Sequence, residues 1–553
     1  MGGLVLALVA AVVVAFGPGV ADASADELLV PRVPSSLTKP PPGFTLSGKR
    51  AVAIANRNEK IRREVRRAGP LTARPYLLGA QYWLVRYYRG GRHRADVRLN
   101  GRTGRVKEAR VGRELDWPPI ASGNHGPDAR RFHKLLILAG LLFLVPFLDP
   151  RRPWRLLHLD LLAIAGFGVS FAFAEAGNVY AATPLIYPPA LYLVARLAGL
   201  ALKERPADPL AGGRLTWMTP RAIGTGLVAV LALRYAYTLI DGHVNDVGYA
   251  SVYGADSIIH GFPLYDSSPQ SGHLDTYGPI AYLAYVPFTL LIPLKDLSHN
   301  HAQAAQAAAI TFDFATVACL YVLGRRLRPG DPGRLLGLAL AWGFATCPWT
   351  LGVLAQATND GLVALVLVIA LLAAESPLGR GIVIGLGAAS KLAPLVLGGL
   401  FARVGRERGL RPMVVFGAAV VLTAGVAVLA YLPDGGLREF WDSTLGFQFS
   451  RSSPFGIWGL YPAWKPLHSV VTLLVAAMAA GATFLPRERS VPRLAAAGAT
   501  LLMAAQLAAV YWHWFYLTWV MPYTLVALFS VSSATRVRNS GSSRARALAL
   551  KSS

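Results

Sequence analysis

The chain has 553 residues, of which 54% are hydrophobic and only 15% charged, and its formal net charge is +25. That balance excludes a single soluble domain of this length. It also removes nucleic acid as the natural partner of the positive charge. The Lys and Arg residues flank apolar runs, where the positive-inside rule places them in membrane proteins. The two cysteines, Cys319 and Cys347, both fall inside apolar runs and define neither a metal-ligand spacing nor a disulfide framework.

The first 25 residues read as a secretory signal or signal anchor. An apolar stretch from Leu4 to Phe16 precedes Ala21-Asp22-Ala23-Ser24-Ala25, which fits the small-x-small cleavage pattern, although the usual basic n-region is missing. Residues 26–129 form a second unit, polar and strongly basic over 45–125. Ala51 to Arg67 has helical spacing. Gln81 to Tyr88 is dense in aromatic and apolar residues, Gly90-Gly91 follows as a turn, and Ala95, Val97 and Leu99 alternate with polar residues up to a hairpin signal at Asn100-Gly101. A small α+β module is expected. Its run Asn100-Gly101-Arg102-Thr103-Gly104-Arg105-Val106 resembles the second hairpin of PepSY-type extracytoplasmic domains, a likeness that implies no activity.

Thirteen apolar segments follow, at 132–149, 157–176, 185–202, 221–240, 278–295, 303–324, 335–352, 359–375, 380–402, 412–431, 466–485, 494–510 and 513–531. Each approaches the roughly 20 residues that a bilayer core requires. The expected fold is a polytopic α-helical membrane protein of about 11–13 transmembrane segments behind a small α+β domain. Residues 130–205 supply three accessory helices, 206–532 the main membrane region, and 533–553 a basic, Ser-rich cytoplasmic tail.

Four loops are strongly basic: Arg151 to Arg155, Arg325 to Arg328, Arg403 to Arg411, and Arg487 to Arg493. Placing all four on the cytoplasmic side leaves 278–295 with both ends outside and 380–402 with both ends inside. Both segments carry breakers, Pro279, Pro287 and Pro293 in the first and Gly385, Gly387 and Pro394 in the second, so both are expected to be re-entrant or surface-lying. The same parity puts the α+β module, the loops Asp241–Gly278 and Pro433–Lys465, the turn at Asn359-Asp360 and the turn near Tyr511 on the outer face.

The chemistry-bearing residues gather in those outer stretches. Asp241 and Asp246 stand at the outer end of an apolar helix, followed by Tyr249 and an amphipathic run to His260 and Pro263-Leu264-Tyr265. Asn359-Asp360 opens another apolar segment. Gly385-Leu386-Gly387-Ala388-Ala389-Ser390-Lys391-Leu392-Ala393-Pro394 is a Gly-rich Lys-x-x-Pro stretch, and Tyr511-Trp512-His513-Trp514-Phe515-Tyr516 leads to Pro522-Tyr523. In order and placement these stretches resemble the GT-C superfamily of integral-membrane glycosyltransferases, in particular the subgroup related to bacterial mannosyl- and arabinosyltransferases (family 87-like). The likeness covers roughly residues 220–530.

That resemblance implies an enzyme that takes a sugar from a polyprenyl-phosphate carrier and passes it to a glycan, lipid or protein hydroxyl on the extracytoplasmic face of the cell membrane. A base must take the acceptor proton, and a carboxylate at the membrane surface suits that role, Asp246 first and Asp241 second. The departing lipid phosphate needs positive charge, which Lys391 and His513 could supply. Tyr249, Asn359, Asp360, Trp458 and Trp512 are the candidate substrate-lining residues. A divalent metal stays open, because the carboxylates form no specific metal pattern.

Each residue has a structural alternative: a solvated loop carboxylate for Asp241 or Asp246, a snorkelling side chain for Lys391, a helix cap for Asn359-Asp360, and an interfacial belt for the tryptophans. Arg234 and Asp313, both within apolar runs, are expected to pair with each other. The competing function classes are a lipid or solute transporter, since broken helices are also a transporter feature, and a non-enzymatic envelope scaffold.

Overall fold

The computed structural model describes residues 31–78, 82–116, 127–149, 153–175, 178–202, 218–265, 275–294, 302–405, 407, 409–450, 453–486 and 489–530. The signal segment, the residues from 531 onward and parts of the loops at 150–152, 203–217, 266–274 and 295–301 lie outside the described residues.

The N-terminal module has two short helices, α1 (Gly48–Ala55) and α2 (Glu59–Ala68), followed by four strands: β1 (Thr72–Leu78), β2 (Tyr82–Arg89), β3 (Arg92–Asn100) and β4 (Val106–Val111). The strands form one antiparallel meander in the order β1-β2-β3-β4. Gly90 and Gly91, with φ of 54° and 78°, make the β2–β3 turn that the paired glycines announce. At the next turn Asn100 Oδ1 accepts from the Arg102 and Thr103 amides at 3.0 and 2.8 Å. Trp83, Val85, Tyr87, Ala95, Val97 and Leu99 form the core beneath α1, and the Trp83 indole donates to the Leu46 carbonyl at 3.0 Å.

The rest is helical. The accessory helices are α3 (Pro127–Leu144), α4 (Leu156–Glu175) and α5 (Tyr187–Leu202). Then follow α6 (Pro220–Ile240), α7 (Asp246–His260), α8 (Pro279–Leu283), α9 (Val286–Leu291), α10 (Gln303–Leu327), α11 (Gly330–Thr346), α12 (Pro348–Ala355), α13 (Asp360–Leu372), α14 (Pro377–Ala388), α15 (Gly398–Ala402), α16 (Arg411–Leu429), α17 (Lys465–Gly481), α18 (Val491–Ala508) and α19 (Leu517–Phe529). Every one of the thirteen apolar segments carries helix. Among the described residues seven helices are long and apolar enough to cross a bilayer, or eight if the bent pair α11–α12 counts as one span. Several of the others are shorter than the segment expected there, as in α13, with 13 residues.

The α16 face that carries Val414, Val421, Leu422, Val426 and Leu429 is exposed, as is much of α17. Apolar surface on that scale calls for lipid. The chain is therefore a polytopic helical membrane protein with a small α+β domain.

Segment 335–352 differs from the single span expected. It bends by 58° between α11 and α12. Pro348 supplies the cause: it has no amide proton to continue the ladder, and it pushes Cys347 into extended geometry (φ −63°, ψ 127°). Thr350 Oγ1 donates at 2.6 Å to the Phe344 carbonyl, which Pro348 cannot serve, and lies 2.9 Å from the Cys347 carbonyl.

The anticipated partners Arg234 and Asp313 meet at 2.7 Å between α6 and α10, both buried. The Tyr235 hydroxyl takes the other carboxylate oxygen at 3.0 Å. Indoles tie the accessory helices to the main region, Trp342 Nε1 donating to the Leu142 carbonyl at 3.0 Å and Trp349 Nε1 to the Ile164 carbonyl at 2.9 Å. The α+β module meets the connection between α4 and α5 through Glu114, which accepts from the Tyr180 hydroxyl there at 3.0 Å and from Lys60 Nζ of its own α2 at 2.8 Å.

Candidate functional site

Two interrupted segments meet at their breaks. The first runs through α14, ends near Ala388, and returns through a short turn and α15. Both of its ends lie together, because the fully buried Arg380 donates to the Phe401 carbonyl at 2.7 Å and pairs with Glu407 at 2.6 Å. The segment therefore doubles back, with Lys391 at its tip. The second segment is α8–α9, interrupted at Ala284-Tyr285.

At the crossing, the carbonyls that α14 leaves unpaired receive the amides that α8 leaves unpaired. Gly278 N donates to Ser390 O and Ile280 N to Ala389 O, both at 3.1 Å. Each helix end satisfies the other, which is what irregular backbone at membrane depth requires. Only glycine permits the approach, since a Cβ on Gly278 would lie 2.1 Å from Ala389 O. On the α14 side, Gly387 leaves room for Pro394, whose Cβ would be 2.7 Å from an added methyl.

A second junction holds α7. His243 N donates to Ala355 O and Asn245 N to Gln356 O, each at 2.9 Å, so the loop before α7 caps the C-terminus of α12. Gly248 packs on the Ala357 carbonyl, where a Cβ would stand 2.1 Å away. Ala357 itself has a φ of +46°, a left-handed conformation unusual for a non-glycine residue and frequent at functional turns.

Between these junctions lies an ionic cluster. Lys391 Nζ contacts Asp360 Oδ1 at 2.6 Å. The Trp519 indole donates to the same oxygen at 3.0 Å, and Thr358 Oγ1 to Oδ2 at 2.9 Å. The ammonium also sits over two rings, Tyr277 at 5.0 Å and Trp519 at 5.4 Å. Tyr516 stacks on Trp519 at 4.2 Å. Asp360 is buried, as is Asn359 beside it. Asn359 occupies the N-cap position of α13, yet its side chain makes no cap. Instead Nδ2 donates to Ser251 Oγ on α7 at 3.0 Å, while Oδ1 is buried without a hydrogen-bond partner.

The structure thus brings Lys391, Asp360 and Asn359 together, and stitches the loop carrying Asp241 and Asp246 to the same place. Asp241 is the C-cap of α6 and half-buried. Asp246 opens α7 and is exposed, its Oδ1 accepting from the Val247 amide at 2.8 Å. At about 100° per residue it is turned roughly 140° from Ser251, the residue that meets Asn359. Tyr249 is buried against Tyr253, their rings 6.2 Å apart.

His513 caps the turn that begins α19, with Nδ1 accepting from the Phe515 amide at 3.3 Å, which leaves Nε2 for a ligand. The two remaining candidates make their contacts elsewhere. Trp458 donates to the Leu507 carbonyl at 2.8 Å and stacks on His468 at 5.0 Å. Trp512 is buried, donates to Gln506 at 3.2 Å and stacks on Phe167 of α4. Among the described residues no group of three or more His, Cys, Asp or Glu gathers in a way that could hold a metal ion.

Tyr277, Trp519, Thr358 and Ser251 were not singled out from the sequence. Tyr277 directly precedes the Gly278-Pro279 breaker and Trp519 continues the Trp-rich stretch one turn on, so both had a local signal. Their convergence on Asp360 had none.

A polytopic membrane protein with two broken segments crossing at a caged lysine has the architecture of a carrier-dependent membrane enzyme or a transporter. Among known families, residues 276–531, a little under half of the chain, match the model of Glycosyltransferase family 87. The match supports a glycosyltransferase reading for this stretch. The stretch contains Asn359, Asp360, Lys391, Trp458, Trp512 and His513, and it begins after α7 and its carboxylates. No curated protein and no solved structure matches the chain.

Proposed function

We propose that this protein transfers a sugar from a polyprenyl-phosphate carrier to an acceptor hydroxyl on the extracytoplasmic face of the membrane, with inversion at the anomeric carbon. The observation that carries the reading is Lys391, a cation held at the tip of a doubled-back segment within the family-matched region. An ionisable group at such depth is a functional candidate by default. Its ammonium offsets the charge that develops on the departing lipid phosphate, with His513 Nε2 as a second donor. The aromatic rings of Tyr277 and Trp519 give the adjoining sugar a flat, apolar wall.

Direct displacement needs a base on the other side of the anomeric carbon. Asp246 fits by exposure and by its loop's attachment to the 355–357 turn, and Asp241 is the second choice. The outward facing of this end follows from the basic loops at the opposite ends of the helices. The α+β module, which meets the connection between α4 and α5 through Glu114, stands on the same face.

The experiment is radiolabelled sugar transfer by membranes carrying wild type or Asp246→Asn, offered a panel of polyprenyl-phosphate sugars. Wild type should transfer one of them, and the variant should fall by about 100-fold, the scale of a lost general base. Unchanged transfer by the variant moves the base to Asp241. No transfer from any donor, with the protein correctly inserted, sinks the enzyme reading in favour of a transporter, which the two broken segments also suit.

A further inference from the structure

We infer that Asp360 is the positioning residue of the donor-phosphate site: its carboxylate, fixed by Trp519 and Thr358, holds the Lys391 ammonium at the crossing of the two broken segments. This rests on the donor reading above and adds a residue to it.

The geometry is over-determined in a way that an adventitious ion pair is not. A lysine with four methylenes can reach toward an interface and leave its charge there. Lys391 does not; its Nζ is 2.6 Å from Asp360 and lies between two rings. Asp360 is held at both oxygens, Oδ1 by the Trp519 indole at 3.0 Å and Oδ2 by Thr358 at 2.9 Å. Thr358 Oγ1 also accepts from the Asp360 amide at 3.3 Å, which ties the side chain to its own turn. Trp519 therefore serves twice, as a donor to the carboxylate and as a ring beneath the ammonium.

Four separate stretches of chain meet here: the residue before the Gly278 break, the turn that opens α13, the tip after α14, and α19. The carboxylate uses only part of the ammonium's donor capacity, since Lys carries three N–H groups and no acceptor. A phosphate oxygen can join without displacing Asp360. Fixing the cation beforehand removes the cost of ordering a flexible side chain at the moment of binding.

The test reads binding separately from transfer. Undecaprenyl phosphate, which carries no sugar, is titrated into nanodiscs holding wild type, Asp360→Asn, Asp360→Glu, Trp519→Phe and Lys391→Ala. Wild type should bind. Asp360→Asn and Lys391→Ala should each lose about tenfold or more, as truncating one partner of a buried charge pair does. Asp360→Glu should recover most of the loss, because it keeps the charge. Trp519→Phe keeps a ring under Lys391 but removes the indole N–H, and should fall in between. In transfer assays Asp360→Asn should raise KM for the donor and lower kcat as well, since the ammonium it positions also offsets charge that develops on the departing phosphate.

Wild type that binds no polyprenyl phosphate refutes the donor reading itself. Wild-type binding that Asp360→Asn matches or exceeds overturns the positioning role alone. So does a loss confined to kcat, or an Asp360→Glu variant no better than Asp360→Asn. Should Asp360→Asn fail to fold, Trp519→Phe reads the same contact.

Discussion

Replacing Gly278 by Ala is the most direct perturbation of the crossing. Gly278 has an ordinary φ of −70°, so alanine suits its backbone and only the contact matters. The added Cβ would lie 2.1 Å from the Ala389 carbonyl oxygen and 2.6 Å from its carbon, both backbone atoms that cannot swing aside. Even a tight contact begins near 3.0 Å, so the two backbones must part by 0.9 Å, which is 3.0 minus 2.1. The hydrogen bonds Gly278 N to Ser390 O and Ile280 N to Ala389 O, now 3.1 Å, would then be lost. Two hydrogen bonds lost, counted at about 1–3 kcal/mol each for the buried carbonyl that each leaves unpaired, give a destabilisation of about 2–6 kcal/mol. Lys391 follows Ala389 by two residues and moves with it. A displacement of this order at a positioned group costs on the order of 100-fold in rate. The assay is sugar transfer per folded protein, alongside thermal unfolding in detergent. The control is Gly425→Ala on α16, where an added Cβ meets nothing within 4 Å. A Gly278→Ala protein within about twofold of wild type in rate, and equal to it in melting temperature, would refute the idea that this crossing sets the site.

The remaining predictions concern buried charge. Asp313→Asn leaves Arg234 without its counter-charge between α6 and α10, and should destabilise by about 3–5 kcal/mol. The double variant Arg234→Met, Asp313→Leu should be less destabilised than Asp313→Asn, and thermal unfolding of wild type and the two variants reads the difference. Burial tends to raise the Glu407 carboxyl, but the paired Arg380 guanidinium and the Val404 amide outweigh it and hold it below the ordinary 4.5. A depressed carboxylate contributes stability that is present above its unfolded value and lost as pH falls through the folded one. Wild type should therefore lose its stability advantage over Glu407→Gln as the pH drops below 4.5, and an advantage that persists unchanged into that range would contradict the assignment.

How much of this was legible in the sequence depends on the range of the interaction involved. Apolar length and breaker residues are local properties, and they located all thirteen segments and the interruptions at 278–295 and 380–402. Turn chemistry located the module's hairpins at Gly90-Gly91 and Asn100-Gly101. Charge alone suggested Arg234 with Asp313, because two opposite charges in apolar runs have few other ways to avoid a large desolvation cost. The bend at Pro348 is also a local effect, and it was missed because the run through 335–352 is apolar throughout.

The sequence by itself determined a membrane protein, its helical segments, and a short roster of polar residues too expensive to bury without a purpose. Tertiary structure decided which of them meet. Asp360 pairs with Lys391 across 31 residues of chain and with Trp519 across 159. Trp512 and Trp458, equally prominent in the sequence, turn into the packing between helices. The reason is physical: periodicity reports which face of a segment is apolar, whereas the partner of a buried charge is set by where broken helices cross. That crossing depends on two glycines and on backbone groups that no residue pattern labels as neighbours.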